Sequence, residues 1–281
     1  MLSIITINRN NAINLEKTIL SVSKQSQSNF EYIIVDGASN DDSVSIIKRY
    51  SSEFGERFKW ISEPDSGIYN AMNKGIGMAM GEYVQFLNSG DCLASDTVVE
   101  KMFKAIENYN HPSILYGNML KSMPDGSTLR DRCFAGQDIS FLGFYNGTLN
   151  HSPAYIRKDL FQRYGVYDES LRIVSDWKWY MQAIIFGKEK PVYTDIDVTL
   201  FDMTGISETN KELDKAERKK VLEKLVPHSI LVDYDCWAVP IQQMKRLNRH
   251  PWAYKLVWFI ERCLFKIEKF SIKHNKESVY Y

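Results

Sequence analysis

The chain has no excess of either charge: 35 Lys and Arg stand against 35 Asp and Glu in 281 residues. A protein that covers a phosphate backbone needs a basic surplus, so a nucleic-acid partner is not expected, and any anionic ligand has to be met by local groups. Cysteine is scarce. Cys92, Cys133, Cys236 and Cys263 are scattered and form no CxxC pair, which argues against a zinc ribbon, a redox motif or a dense disulfide framework and fits a reducing cytoplasm. No apolar stretch approaches the roughly 20 residues that cross a bilayer. The opening run Leu2 to Ile7 is too short for a signal-peptide core and lacks a basic leader and a small-residue cleavage site, so it reads as a strand. Internal repeats and low-complexity segments are missing too. A Gly-rich phosphate loop between a strand and a helix is also absent, which weakens a nucleotidyltransferase reading. Gly75-Ile-Gly77-Met-Ala-Met-Gly81 resembles a dinucleotide glycine motif, but it falls at the end of a predicted helix and reads as a helix stop.

What is present in the first half is an alternation of short β-rich runs with helical periods, the pattern of an α/β fold with a parallel sheet covered by helices on both faces. Strands are predicted at Ser3 to Ile7, Glu31 to Val35, Phe58 to Ile61 and Glu82 to Leu87. Helices are predicted from about Asn14 to Lys24, around Val44, Ile47 and Tyr50, and around Ile68, Ala71 and Met72 with Ser66 as N-cap. Another begins near Asp96, which follows Ser95 and supplies the cap. Pro124-Asp125-Gly126 is a turn between two strands. The stretch Phe134 to Asn150, Gly-rich and aromatic, shows no period and reads as the part that faces a second substrate. Pro153 to Arg157 reads as a strand, Trp177 to Phe186 as a helix, and Val192 to Phe201 returns to β character. From about Thr209 the sequence is helical and charged. The expected division is therefore a catalytic domain over 1–208 and a helical C-terminal extension over 209–281.

Polar residues collect where the strands end, the edge at which open α/β sheets bind ligands. Asp36 can accept hydrogen bonds from a base or ribose, or can simply open a turn before Gly37. Asp65 has the same two readings. Asp91, after a buried strand and next to Gly90, is either a hard-oxygen ligand for Mg²⁺ or Mn²⁺ holding a diphosphate, or a helix cap. Asp176 sits in a helical first turn, where an acidic side chain is favourable on structural grounds alone. With Ser175 as the cap, it is equally placed as a general base beside an apolar wall formed by Trp177 and Trp179, where desolvation would raise its proton affinity. His151 precedes a strand, and a single histidine is as readily structural as functional.

In order and spacing, a longer series of residues resembles the inverting family 2 glycosyltransferases of the GT-A fold, in particular the bacterial enzymes of surface-polysaccharide synthesis. The series is Ser3-Ile-Ile-Thr6 with Asn10, Leu15-Glu-Lys-Thr18, Tyr32-Ile-Ile-Val-Asp36-Gly37 with Asp41, Ser62-Glu-Pro-Asp65-Ser-Gly67-Ile-Tyr69 and Ala71-Met-Asn-Lys-Gly75. It continues with Gly81 to Asp91, His151, Ser175-Asp176 and Thr204-Gly-Ile-Ser207. The resemblance spans residues 1 to about 210 and implies a GT-A mixed sheet flanked by helices. It further implies that Asp36 contacts the nucleotide, commonly uridine, that Asp91 binds Mn²⁺ or Mg²⁺, and that Asp176 is the catalytic base. The donor-binding set becomes Thr6, Asn8, Asp36, Asp65 and Asn88, with His151 and Trp177 as acceptor or diphosphate contacts. Asn40, Asn70 and Arg9 stand where the family often has threonine, aspartate and an aromatic, and the metal segment has one acidic residue where two are usual. The implied reaction moves a sugar from a nucleotide-diphosphate donor to a saccharide or lipid-linked acceptor; a catalytically inactive sugar-nucleotide-binding module is the other reading. In Trp252 to Phe270 apolar residues recur at helical spacing among lysines and arginines, as expected of a helix lying on the inner face of a membrane or packed against the catalytic domain or a second subunit.

Overall fold

The computed structural model describes residues 1–123, 126–203 and 210–275. Contacts divide the chain into two units, Met1–Val221 and Leu222–Tyr281.

The first unit is a mixed sheet with helices on both faces. Its strands are β1 (Leu2–Asn8), β2 (Phe30–Asp36), β3 (Phe58–Ser62), β4 (Tyr83–Phe86), β5 (Cys92–Leu93), β6 (Ile114–Ser122), β7 (Thr128–Asp131), β8 (Ala154–Arg157) and β9 (Val192–Phe201). They lie in the order β3-β2-β1-β4-β8-β6-β9-β5, with β7 paired to β6. β3, β2, β1 and β4 are parallel; β8 is antiparallel to both β4 and β6, and β9 runs parallel to β6. Every residue of β1 and β2 is buried, as both faces of a helix-covered sheet require. This is why these runs are mostly apolar on both faces instead of alternating, with the buried Ser3 hydroxyl donating to Glu31 at 2.6 Å. The register sets Asn8 beside Asp36 and Asp36 beside Ser62, so three polar strand ends meet at one edge.

The helices of this unit are α1 (Ala12–Ser23), α2 (Ser43–Phe54), α3 (Ile68–Met78), α4 (Val98–Asn108), α5 (Phe141–Asn146), α6 (Asp159–Tyr164) and α7 (Ser175–Tyr180), the last continuing as a π-helical turn over Met181–Phe186. The first core cluster joins Leu15, Ile19 and Ile47 of α1 and α2 and Met102 of α4 to Leu2, Ile4 and Ile34 of the sheet. α3 covers the opposite face, and Gly75 is what lets it settle there: a Cβ at that position would lie 2.4 Å from the Ile5 side chain. The glycine spacing of Gly75 to Gly81 thus serves close helix–sheet packing as well as a helix end, since α3 stops at Met78.

Several local expectations are corrected. Ser66 does not cap α3; Gly67, at φ 139°, precedes it, and the Asp65 carboxylate accepts the Gly67 N–H at 3.0 Å. α4 begins two residues later than expected, behind Thr97 and with no side-chain cap from Ser95 or Asp96. The unpatterned stretch after Phe134 contains α5, whose cap Ser140 accepts the Gly143 N–H at 3.2 Å. β6 and β7 form the expected hairpin around Gly126, while Pro124 and Asp125 lie outside the described residues, as do Thr204 to Ser207.

Helix α8 (Lys211–Leu225) starts within the first unit, and the second unit contains its end together with α9 (His228–Leu247) and α10 (Pro251–Asn275). The first unit thus runs past residue 208. No described helix is long and apolar enough to cross a membrane.

Candidate active site

A cleft of about 940 Å³ opens at the carboxyl ends of β1 and β4, with walls from β6, β7, the segment 147–151 and the start of α7. Asn8, Asp65, Asn88, Asp91, His151, Asp176 and Trp177 all border it.

Asp91 lies in the turn after β4, which α1 fastens: Thr18 Oγ1 accepts the Gly90 N–H at 2.9 Å, and the Asn11 side-chain amide donates to the Ser89 carbonyl at 3.3 Å. Gly90 is at φ 110°, and a Cβ there would lie 2.7 Å from the Asp202 carboxylate, so only glycine brings this loop against the end of β9. The Asp91 carboxylate is buried. Its Oδ1 accepts the Asp202 N–H at 3.0 Å, whereas Oδ2 has no hydrogen-bond partner. Burial pushes its pKa up to about 7, against the Asp202 amide and the charge of His151, which act in the other direction; the Asp202 carboxylate adds to the rise. A buried oxygen without a donor carries a desolvation cost that a cation would remove. Among the described residues no three His, Cys, Asp or Glu side chains come together around a metal position. Asp91 therefore fits a divalent ion whose remaining ligands are donor phosphate and water oxygens, as Mg²⁺ and Mn²⁺ accept.

Asp176 is the second carboxylate of the cleft, half-buried in the first turn of α7. Its Oδ2 is 3.2 Å from His151 Nδ1, and its Oδ1 receives the Tyr69 hydroxyl at 2.9 Å. That hydroxyl also rests against the Ile173 carbonyl, and burial beside Asp176 holds it protonated, far above the ordinary tyrosine range. The expectation that apolar walls raise the proton affinity of Asp176 is overturned. Burial does oppose its ionisation, but the hydrogen bond and charge of His151, with the Tyr69 hydroxyl and the Trp177 amide, hold its pKa below the usual value. Burial likewise disfavours the imidazolium of His151, and Asp176, aided by the charge of Asp91, more than compensates and raises its pKa. His151 Nε2 faces the Asn88 amide nitrogen at 3.4 Å, while Asn88 Oδ1 is buried without a partner. A half-turn of that amide would set the oxygen against an imidazolium N–H, so the pair can follow the protonation state of His151 with no backbone change.

Trp177 forms part of the cleft wall with its indole N–H on the Phe144 carbonyl at 2.8 Å. Trp179, two residues on along the helix, points the other way: it donates to Gly165 and stacks on Phe161 at 4.7 Å. It is a core residue, and of the two tryptophans expected to wall Asp176 only Trp177 borders the cleft. Ser175 does not cap α7 either; its hydroxyl accepts the Asp168 N–H at 2.5 Å. The carboxylate that holds the backbone N–H groups just before that helix is Glu217, from α8. It is buried, and its carboxylate accepts the backbone N–H groups of Arg172, Ile173 and Val174 at 2.8, 2.9 and 3.3 Å.

Two expected donor contacts lie elsewhere. Thr6 is fully buried, with its hydroxyl donating to the Leu87 carbonyl at 2.7 Å and 3.0 Å from the Tyr32 hydroxyl, and it does not border the cleft. Asp36 is also fully buried: its oxygens accept from Asn8, from the Ser39 N–H and hydroxyl, and from Ser62 at 2.5–2.9 Å. In this state it ties three strand ends together and holds Asn8 at the cleft, while Asp65, paired with the exposed Arg9 at 3.8 Å, borders the cleft with its own side chain largely covered. Tyr69, Asp202, Glu217 and the cleft-lining Arg172 and Arg218 were not anticipated. Tyr69 was visible as part of a motif without a role, and the others come from segments whose pattern carries no chemical signature.

The family model of glycosyl transferase family 2 matches residues 3–171. A PGL/p-HBAD biosynthesis glycosyltransferase of Mycobacterium tuberculosis is 27% identical over 238 residues, 84% of this chain and 91% of the relative. An uncharacterised glycosyltransferase of the same species is 30% identical over 207 residues, 73% of this chain and 76% of its own. Among solved structures, Staphylococcus aureus TarS 1–349 in complex with UDP-GlcNAc superimposes with a TM-score of 0.61 at 20% identity, over 74% of this chain and 60% of that one. The mannosyltransferase PcManGT of Pyrobaculum calidifontis, in complex with GDP-Man and Mn²⁺, has a TM-score of 0.60 at 14% identity over 97% of this chain and 83% of its own. A mixed sheet of this order, a polar cleft at its strand ends and a family match over more than half of the sequence lead to one conclusion: the chain belongs to glycosyl transferase family 2 and has the GT-A fold.

Proposed function

We infer that the chain is an inverting glycosyltransferase that moves a sugar from a nucleotide-diphosphate donor, in the first instance a UDP-linked one, to a hydroxyl of a saccharide or lipid-linked saccharide during surface-polysaccharide synthesis. One observation carries the reading: the Asp176 carboxylate, oriented by His151 and Tyr69, shares a cleft with the buried carboxylate of Asp91, which has an oxygen to spare. In an inverting displacement the acceptor oxygen forms its bond to the anomeric carbon as the bond to the diphosphate breaks on the opposite face. The diphosphate leaves with the electron pair, and the hydroxyl proton passes to Asp176. Because that proton becomes acidic only as the new C–O bond forms, the base has to be ionised and in place more than it has to be strong. His151 and Tyr69 supply both conditions. A divalent cation held by Asp91 would neutralise the charge of the leaving diphosphate. The UDP-GlcNAc and GDP-Man complexes of the structural neighbours support a nucleotide-sugar donor. The four free cysteines agree with a cytoplasmic site of action.

Nucleotide sugars screened by thermal shift with and without Mn²⁺ identify the donor, since a ligand that binds only the folded state raises its stability. With that donor and its acceptor, Asp176→Asn lowers kcat by about 10²–10⁴-fold, the usual worth of a positioned base, and leaves donor-induced stabilisation intact. Unchanged transfer by the variant removes Asp176 as the base. Donor binding without turnover by the native chain supports an inactive binding module instead, and product NMR that shows a retained anomeric configuration rules out inversion.

A further inference from the structure

The second unit has a surface that the transfer reaction does not use. On α10, Trp252, Leu256, Phe259, Ile260 and Ile267 recur at intervals of four, three, one and seven residues. They therefore fall on one stripe of the helix, and their side chains are 48–71% exposed. Trp258 and Phe265, 52% and 60% exposed, lie across the helix from that stripe, with the Arg262 guanidinium over the Trp258 ring at 4.5 Å. Trp237 on α9 is also 60% exposed. Leaving this many large apolar side chains in water is unfavourable, and a continuous patch of them marks a contact surface.

The charges say what kind of contact. Residues 245–269 contain seven Lys and Arg (Lys245, Arg246, Arg249, Lys255, Arg262, Lys266 and Lys269) against Glu261 and Glu268, an excess of five positive charges in a chain whose total is zero. Lys255, Arg262 and Lys266 follow at intervals of seven and four, so they line one flank of the apolar stripe, where their long stems can reach from an apolar boundary to polar groups. A second copy of the chain would set this positive segment against itself. A bilayer with anionic headgroups complements both features, taking the aromatic stripe into the headgroup and acyl boundary and the cations at the phosphates. Since no described helix is long and apolar enough to cross, the fit is to a helix lying in the plane of the surface, about 37 Å long at 1.5 Å per residue. We propose that α10, with the adjoining part of α9, docks the protein on an anionic phospholipid surface.

The test uses the full-length protein and sedimentation with vesicles of phosphatidylcholine alone or mixed with phosphatidylglycerol. The protein pellets with the mixed vesicles, its tryptophan emission shifts to the blue, and binding weakens as salt is raised. The triple variant Lys255→Glu, Arg262→Glu, Lys266→Glu loses at least about tenfold in vesicle affinity, since each cation near the surface is worth about 1 kcal/mol. Trp252→Ser with Phe259→Ser loses both binding and the blue shift. Circular dichroism matching the native chain shows that these variants still fold. Equal binding to pure phosphatidylcholine, failure to bind either vesicle, or undiminished binding by the charge variant each overturns the proposal. Concentration-dependent self-association in sedimentation velocity without vesicle binding assigns the stripe to a second copy.

Discussion

Asp176 sits where burial favours the neutral acid and His151 favours the carboxylate, and the balance falls to the carboxylate. The sign of the consequence follows from both partners. Asp176 has a folded pKa below the ordinary 3.8, so the stability it contributes is complete above that value and is lost as pH falls through the lower folded pKa. His151 has a folded pKa above 6.5, so its contribution is complete below 6.5 and is lost as pH rises through the higher one. The pair therefore stabilises the fold most between pH 3.8 and 6.5. The melting-temperature gap between the native chain and His151→Gln should be widest at pH 5 to 6 and narrow toward pH 9, as measured by thermal melts across that range. A gap that grows with pH would show that the ion pair is not what His151 contributes. In the same variant the kcat–pH profile should lose its acid side sooner, because Asp176 no longer has the cation that holds its pKa down.

At the scale of the element, the start of α7, which carries the proposed base Asp176, is held by a carboxylate from α8. Glu217 takes three backbone N–H groups at residues 172–174, and the Ile173 and Val174 amides have no other route to water at this buried turn. Its loss leaves donors unpaired at about 1–3 kcal/mol each and lets the residues just before Asp176 drift. Glu217→Ala should thus lower the unfolding temperature and reduce kcat by more than tenfold. The KM for donor should stay close to native, because Asp91 and its loop are fixed by α1 instead. Steady-state kinetics separate the two: a rise in KM with kcat preserved would make Glu217 a donor-site support, not a positioning residue for the base. The helices also show where pattern reading fails. Trp177 and Trp179 look equivalent in sequence, but an α-helix turns residues two apart to opposite sides, so one lines the cleft and the other fills the core.

For the whole molecule, the proposed donor and metal would stabilise the unit that contains the cleft, Met1–Val221. A donor at a hundredfold its Kd adds about 2.7 kcal/mol. Calorimetry of the native chain should show a further rise when Mn²⁺ accompanies the donor, and Asp91→Asn should abolish the Mn²⁺-dependent part while leaving a smaller donor-dependent shift. An undiminished Mn²⁺ effect in that variant would move the metal away from Asp91. The anionic-surface contact belongs to the same scale, because the positive charge of residues 245–269 is offset by the rest of a neutral chain. Net charge alone conceals it.

The sequence by itself determined the α/β class, the first four strands to within a residue or two, and the position of each polar strand end, because buried parallel strands need unbroken apolar runs and their ends need turn-forming polar residues. Through the order of those ends it also determined the glycosyltransferase family and named Asp91 and Asp176. Which of the strand-end residues reach the cleft was decided only by the tertiary structure. Thr6 and Asp36 share the motif with Asn8 and Asp65, but the strand register pairs Asp36 with Asn8 and Ser62 and turns it inward. The proton affinity of Asp176 was decided there as well. It depends on His151 and Tyr69, which stand 25 and 107 residues away in sequence, and no local pattern encodes a charge that only folding brings within 3.2 Å.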